Sequence, residues 1–110
     1  MQKQDIAEIN EIEKLAQIMA KAINPKKIYL FGSFARGEQK ESSDYDFCII
    51  VDKGKDAMGM YLEACRSIRP FRNRPMDILV KVDDIFDKNS VEFGYVEYYI
   101  AREGVILYER

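Results

Sequence analysis

Three short apolar runs interrupt a chain otherwise patterned for helix, and their spacing is the strongest constraint on its fold. "KIYLF" (Lys27 to Phe31), "DYDFCIIV" (Asp44 to Val51) and "MDILVKV" (Met76 to Val82) are β-branched, aromatic and too short for helices, so they read as strands. "VILYE", starting at Val105, reads as a fourth. Helical stripes precede and separate them. Ile6, Ile9, Ile12, Ala16, Met19 and Ile23 recur at helical spacing until Asn24-Pro25, with Asp5 and Glu8 placed as a cap and its reciprocal partner. Ala57, Met60, Tyr61, Ala64, Cys65 and Ile68 form a second stripe over Asp56 to Ile68, which Pro70 ends. Phe34 to Gly37 suits a short helical turn, Asp83 the cap of a short helix to about Asn89, and Val91 to Arg102 a last helix closed by Gly104. The order α-β-β-α-β-α-α-β predicts an α/β (α+β) fold, a small mixed β-sheet flanked by helices.

Length and charge bound what such a fold can do. At 110 residues and 47% hydrophobic, the chain is expected to form a single domain over 1–110. Seventeen basic residues against nineteen acidic ones give a formal charge of −2, which supplies no global field for holding a long nucleic acid. A small anionic ligand stays open. Cys48 sits in an apolar run and Cys65 on an apolar stripe, as expected of reduced core thiols rather than a bridge or metal site. The N-terminal "MQKQDIAEINEIEK" is too charged for a signal peptide, and no apolar run approaches a membrane span. A cytoplasmic domain with no membrane contact is the expectation.

The stretch "GSFARGEQKESSDYDF" carries the chemistry. Gly32 follows a strand directly, so the backbone can approach a ligand with no Cβ in the way, and Ser33 adds a hydroxyl where turn N–H groups form a concave anion site. In an extended strand Asp44 and Asp46 share one face about 6.7 Å apart, while Tyr45, Phe47 and Ile49 face the core. Two like charges at one strand end oppose each other's ionisation unless a cation lies between them. Asp77 is a lone acid in "MDILV", where a central strand would place another hydrophobe. If that strand lies beside the second, three carboxylates gather, and an all-oxygen set suits Mg²⁺ or Mn²⁺ and a triphosphate. Read singly, Asp44 and Asp46 are solvated residues at a strand start and Asp77 caps an edge; read together, they favour a metal site.

"GSFARG" followed by "SDYDF" resembles the signature of the DNA polymerase β-like nucleotidyltransferase superfamily, in particular its minimal MNT-type members. The position of Asp77 and the closing "REGVILYE" are similar to that group too, so the resemblance spans nearly the whole chain. It implies the polymerase β-like fold, with Gly32 and Ser33 at the terminal phosphates of a nucleoside triphosphate, ATP as substrate. It implies Asp44 and Asp46 as ligands of both metals, and Asp77 as ligand of the catalytic one and aid to deprotonation of the acceptor hydroxyl. Phe47 stands where the family often has leucine, a swap within the core. Arg36 either contacts phosphate or braces the loop against Asp44 or Glu38. Arg66, Arg69, Arg72 and Arg74 form either a solvated face or one wall of the site.

The resemblance also implies a partner. Minimal members are commonly encoded with a HEPN-domain toxin, and this chain would then be the antitoxin, moving AMP to a tyrosine of that toxin. Larger relatives hold the acceptor in a second domain for which 110 residues leave no room, so the acceptor is expected on a partner. The run "FGYVEYYIAREGVILYER" offers aromatic surface for docking, unless Tyr95, Tyr98 and Tyr99 simply cover the sheet. Two other readings stand beside this one. The chain could neutralise its partner by contact, with nucleotide only a ligand, or it could modify a small molecule at a site shared across a dimer.

Overall fold

Tyr45–Val51 is buried along almost its whole length, and the other elements are arranged about it. The computed structural model describes residues 3–110, with side chains from residue 6 onward. In chain order the elements are α1 (Lys3–Ile23), β1 (Lys27–Phe31), α2 (Ser33–Arg36), β2 (Tyr45–Val51), α3 (Ala57–Ile68), β3 (Met76–Val82), α4 (Asp83–Asn89), α5 (Val96–Glu103) and β4 (Val105–Glu109). A single 3-10 turn, Arg69–Phe71, follows α3.

The four strands form one mixed sheet in the order β3-β2-β1-β4. β1 pairs antiparallel with β2 and β4, and β3 lies parallel to β2 after the α3 crossover. Strand alternation sends Tyr45, Phe47, Ile49 and Val51 to one face, where they pack with Leu15, Ala16 and Met19 of α1 and Ala64 and Ile68 of α3. Cys48 and Ile50 point to the other face, into a smaller cluster with Tyr29, Phe86 of α4 and Ile100 of α5. The result is a mixed α/β domain with helices on both sheet faces, as the element order predicts. No described helix is long and apolar enough to cross a membrane. Both cysteines are free; Cys48 is buried, which pushes its thiol up to about 12, whereas Cys65 is only half-buried.

Several local expectations need correction. α1 is already helical at Lys3, so Asp5 lies within its first turn instead of capping it, and the side chain of Asp5 is outside the described residues. The helix ends in a left-handed Asn24 (φ 47), whose N–H bonds the Ala20 carbonyl at 2.9 Å before buried Pro25. Asp83 is the first residue of α4, with Val82 at the cap; its carboxylate accepts the Asp84 N–H and pairs with Lys26. The last helix begins at Val96, five residues after the expected start, because Gly94 adopts φ +105 and breaks residues 90–95 into turns.

Gly104 closes α5 in extended conformation (φ −68, ψ 151), so its role is space, not handedness. A Cβ there would collide with the Ile100 carbonyl and meet the Tyr29 ring at 3.0 Å. Gly104→Val is therefore expected to destabilise the domain by about 1–3 kcal/mol through overpacking, measured by urea unfolding; wild-type stability would contradict this close seam between α5 and β1.

Candidate active site

β1 ends where β2 begins, because the two strands are antiparallel, and β3 begins there too, because it is parallel to β2. Phe31 is paired with Asp46, and Asp46 with Asp77. One end of the sheet thus receives the Gly32 turn from the first strand and an acid from each of the other two. Asp44 stands one residue before β2 and half-buried, close enough for its charge to act on Asp46.

Gly32 is required here for two reasons. Its φ of +75 is a conformation that side chains disfavour, and a Cβ built on it would run into Asp46 Oδ2. The absent side chain is what lets the turn sit against the carboxylate. α2 then closes tightly: the Arg36 N–H bonds the Gly32 carbonyl at 3.1 Å, the Glu38 N–H bonds the Ser33 carbonyl at 2.9 Å, and Gly37 ends it in the left-handed region.

The electrostatics centre on Asp46. Burial raises its pKa from the ordinary 3.8 to about 6, aided by the charge of Asp77, a hydrogen bond shared with Asp77 and the charge of Asp44. Arg36 opposes the shift more weakly. Asp77 is exposed, on an edge strand, and so corrects the expectation of a buried acid in a central strand. Among the described residues no group of three acidic, His or Cys side chains is already placed to hold a metal ion. The arrangement is a coupled Asp46–Asp77 pair with Asp44 at its side. Carboxylate oxygens crowded around Asp46, whose own pKa they help to raise, fit a hard divalent cation, which would remove that repulsion.

Arg36 braces the loop, through Glu38 instead of Asp44. Its Nε donates to Glu38 Oε1 at 2.7 Å, and its Nη1 lies 3.7 Å from Glu103 Oε2 at the end of α5. The four downstream arginines separate. Arg66 pairs with Glu63 of its own helix and Arg72 donates to the Arg74 carbonyl, whereas Arg74 turns inward onto the Tyr45 ring. Tyr61, read from sequence only as part of a helical stripe, lies within electrostatic reach of Asp77. Tyr95 and Tyr99 do not cover the sheet; Glu97 and Ile100 do, and the tyrosines face outward with Phe93. Glu97 stands three residues before Ile100 and so shares its helical face, but a glutamate there gives no hint in sequence of being buried. Its partners, Asn89 at 2.9 Å and Lys81 at 3.8 Å, come from other elements.

A raised carboxyl pKa means that the folded chain binds that proton more tightly than the unfolded one. In metal-free buffer the Asp46 contribution to stability is full below about pH 4 and lost as pH rises through about 6. Melting temperature is expected to fall across that window, and Asp77→Asn to flatten the fall by removing one of the charges responsible. An equally steep profile in the mutant would contradict the coupling.

The family profile described as polymerase beta, nucleotidyltransferase matches residues 13–110. A candidate protein adenylyltransferase of Methanocaldococcus jannaschii is 34% identical over 105 residues, covering 93% of this chain and 97% of that protein. The protein adenylyltransferase MntA of Aphanizomenon flos-aquae is 29% identical over 116 residues, covering 94% of this chain and 69% of its own. Among solved structures, a toxin-antitoxin complex with AMP-PNP contains a chain of the same fold, at TM-score 0.60 and 19% identity, covering 89% of this chain and 73% of that one. The profile match takes in every strand and all of the convergent turn and carboxylates, and on that ground the chain belongs to the polymerase beta nucleotidyltransferase family.

Proposed function

We propose that this chain, as one nucleotidyltransferase domain over 1–110, transfers AMP from ATP to a tyrosine hydroxyl of a HEPN-domain toxin and acts in the cytoplasm as its antitoxin. The observation that carries the reading is the pairing of Asp46 with Asp77 beside the Gly32 turn. Phosphate-approaching backbone and crowded carboxylates in one place suit phosphoryl chemistry better than any structural role. The adenylyltransferase names of the relatives favour AMP as the group moved and a protein as its acceptor.

In this reading Gly32 and Ser33 meet the terminal phosphates, and Asp44, Asp46 and Asp77 hold Mg²⁺ or Mn²⁺. The cation, when bound, offsets the charge of the triphosphate and lowers the pKa of the acceptor hydroxyl. Arg36 can leave the exposed Glu38 for a phosphate oxygen at little cost, since a solvent-exposed ion pair contributes little. Asp77, exposed at the edge strand, takes the acceptor's proton. The acceptor oxygen bonds to the α-phosphorus as its bond to the bridging oxygen breaks, and pyrophosphate leaves.

The outward aromatics supply the surface for the partner. Phe93, Tyr98 and Tyr99 contact one another with ring centroids 5.3 to 6.0 Å apart, and Phe93 is 79% exposed. Such a patch suits the centre of a protein interface. Glu103, at the end of the same helix, reaches Arg36 and so joins the patch to the site.

Co-expression with the partner and intact mass of both chains test the proposal. Wild type is expected to add whole AMP masses to the partner, in a reaction abolished by EDTA. Asp77→Asn is expected to keep the complex but lose the added mass and the silencing. Full silencing by an unmodified complex would favour the second reading, an antitoxin that neutralises by contact.

A further inference from the structure

Arg74 touches three separate parts of the site without entering it. Its Nη1 donates to the Ser43 carbonyl, immediately before Asp44, at 3.2 Å. Its guanidinium lies 4.5 Å from the centre of the Tyr45 ring, between Asp44 and Asp46 in sequence, and 5.4 Å from that of Phe34, next to Ser33. The two rings meet edge to face at 4.9 Å. Arg74 itself lies three residues before Asp77, and Pro75 between them accepts the Tyr45 N–H at 3.3 Å. One side chain therefore fastens the phosphate turn, the start of β2 and the start of β3 to each other.

We propose that Arg74 is a positioning residue for adenylyl transfer, setting the carboxylates of β2 and β3 in reacting geometry through the Ser43 carbonyl and the Tyr45 ring. The proposal rests on the transferase reading above. Direct charge is not its main means: among the leading influences on Asp46 the one cation is Arg36. Nor is its ion pair strong, since Glu8 Oε2 stands 3.7 Å away. Arg74 Nε, Glu8 Oε2 and the Tyr45 hydroxyl are buried with no hydrogen-bond partner among the described residues. What remains is a planar group held between an aromatic face and one carbonyl, a fit that the point charge of lysine cannot reproduce.

The test uses the full chain with its protein acceptor, ATP and Mg²⁺, comparing wild type, Arg74→Met and Arg74→Lys by kcat, KM for ATP and melting temperature. Supporting residues of this kind typically cost about 10- to 100-fold when removed, so both variants are expected to lose kcat in that range with KM for ATP little changed. The lysine variant is expected to melt near wild type and yet not be rescued. Wild-type kcat in either folded variant would overturn the proposal, as would a loss confined to KM. Unfolding of both variants would also overturn it, by showing that Arg74 serves only the fold. Absence of transfer by wild type would instead defeat the transferase reading, and this proposal with it.

Discussion

The pairing of Asp46 with Asp77 in a parallel register is the constraint on which the rest of this structure depends. A slip of one residue would set Asp77 against Tyr45 or Phe47 and turn every side chain of β3 to the opposite face, exposing Ile78 and Val80 and burying the acid. The apolar cost of that slip keeps the register, so the α1/α3 core fixes the position of the acids. The antiparallel β1 then delivers Gly32 to the same end. The site is a consequence of strand directions and one register.

Holding the acids together has an energetic cost that the domain meets by leaving them half in water. Asp46 is only partly buried and Asp77 is exposed, so repulsion between them is screened and only adds to the burial that raises Asp46 to about 6. A fully buried trio would have protonated, and a fully solvated one would have no reason to bind a cation. The intermediate position would suit a site that recruits a positive charge. Gly32 belongs to the same compromise, since any side chain there would push Asp46 out of place.

Much of this was legible in the sequence. The strands KIYLF, MDILVKV and VILYE match their expected limits, and the second strand starts one residue late, because short β-branched runs between turn residues leave few alternatives. Alternation placed Tyr45, Phe47 and Ile49 in the core. What could not be read were features set by tertiary partners. The α5 boundary moved because a left-handed Gly94 outweighed a helical stripe, and Asp77 proved exposed because periodicity does not say which strand lies at the edge. Arg74 looked like one of four similar arginines. Its role depends on Phe34 and Ser43, which lie 40 and 31 positions away in sequence.

We propose that these three carboxylates form one oxygen site that takes a divalent cation together with a nucleotide. Manganese binding followed by electron paramagnetic resonance, in the presence of a non-hydrolysable ATP analogue, tests it most directly. Wild type is predicted to take up protein-bound Mn²⁺ that depends on the analogue, and a folded Asp46→Asn variant is predicted to lose most of it. Equal uptake by the two proteins would contradict the account.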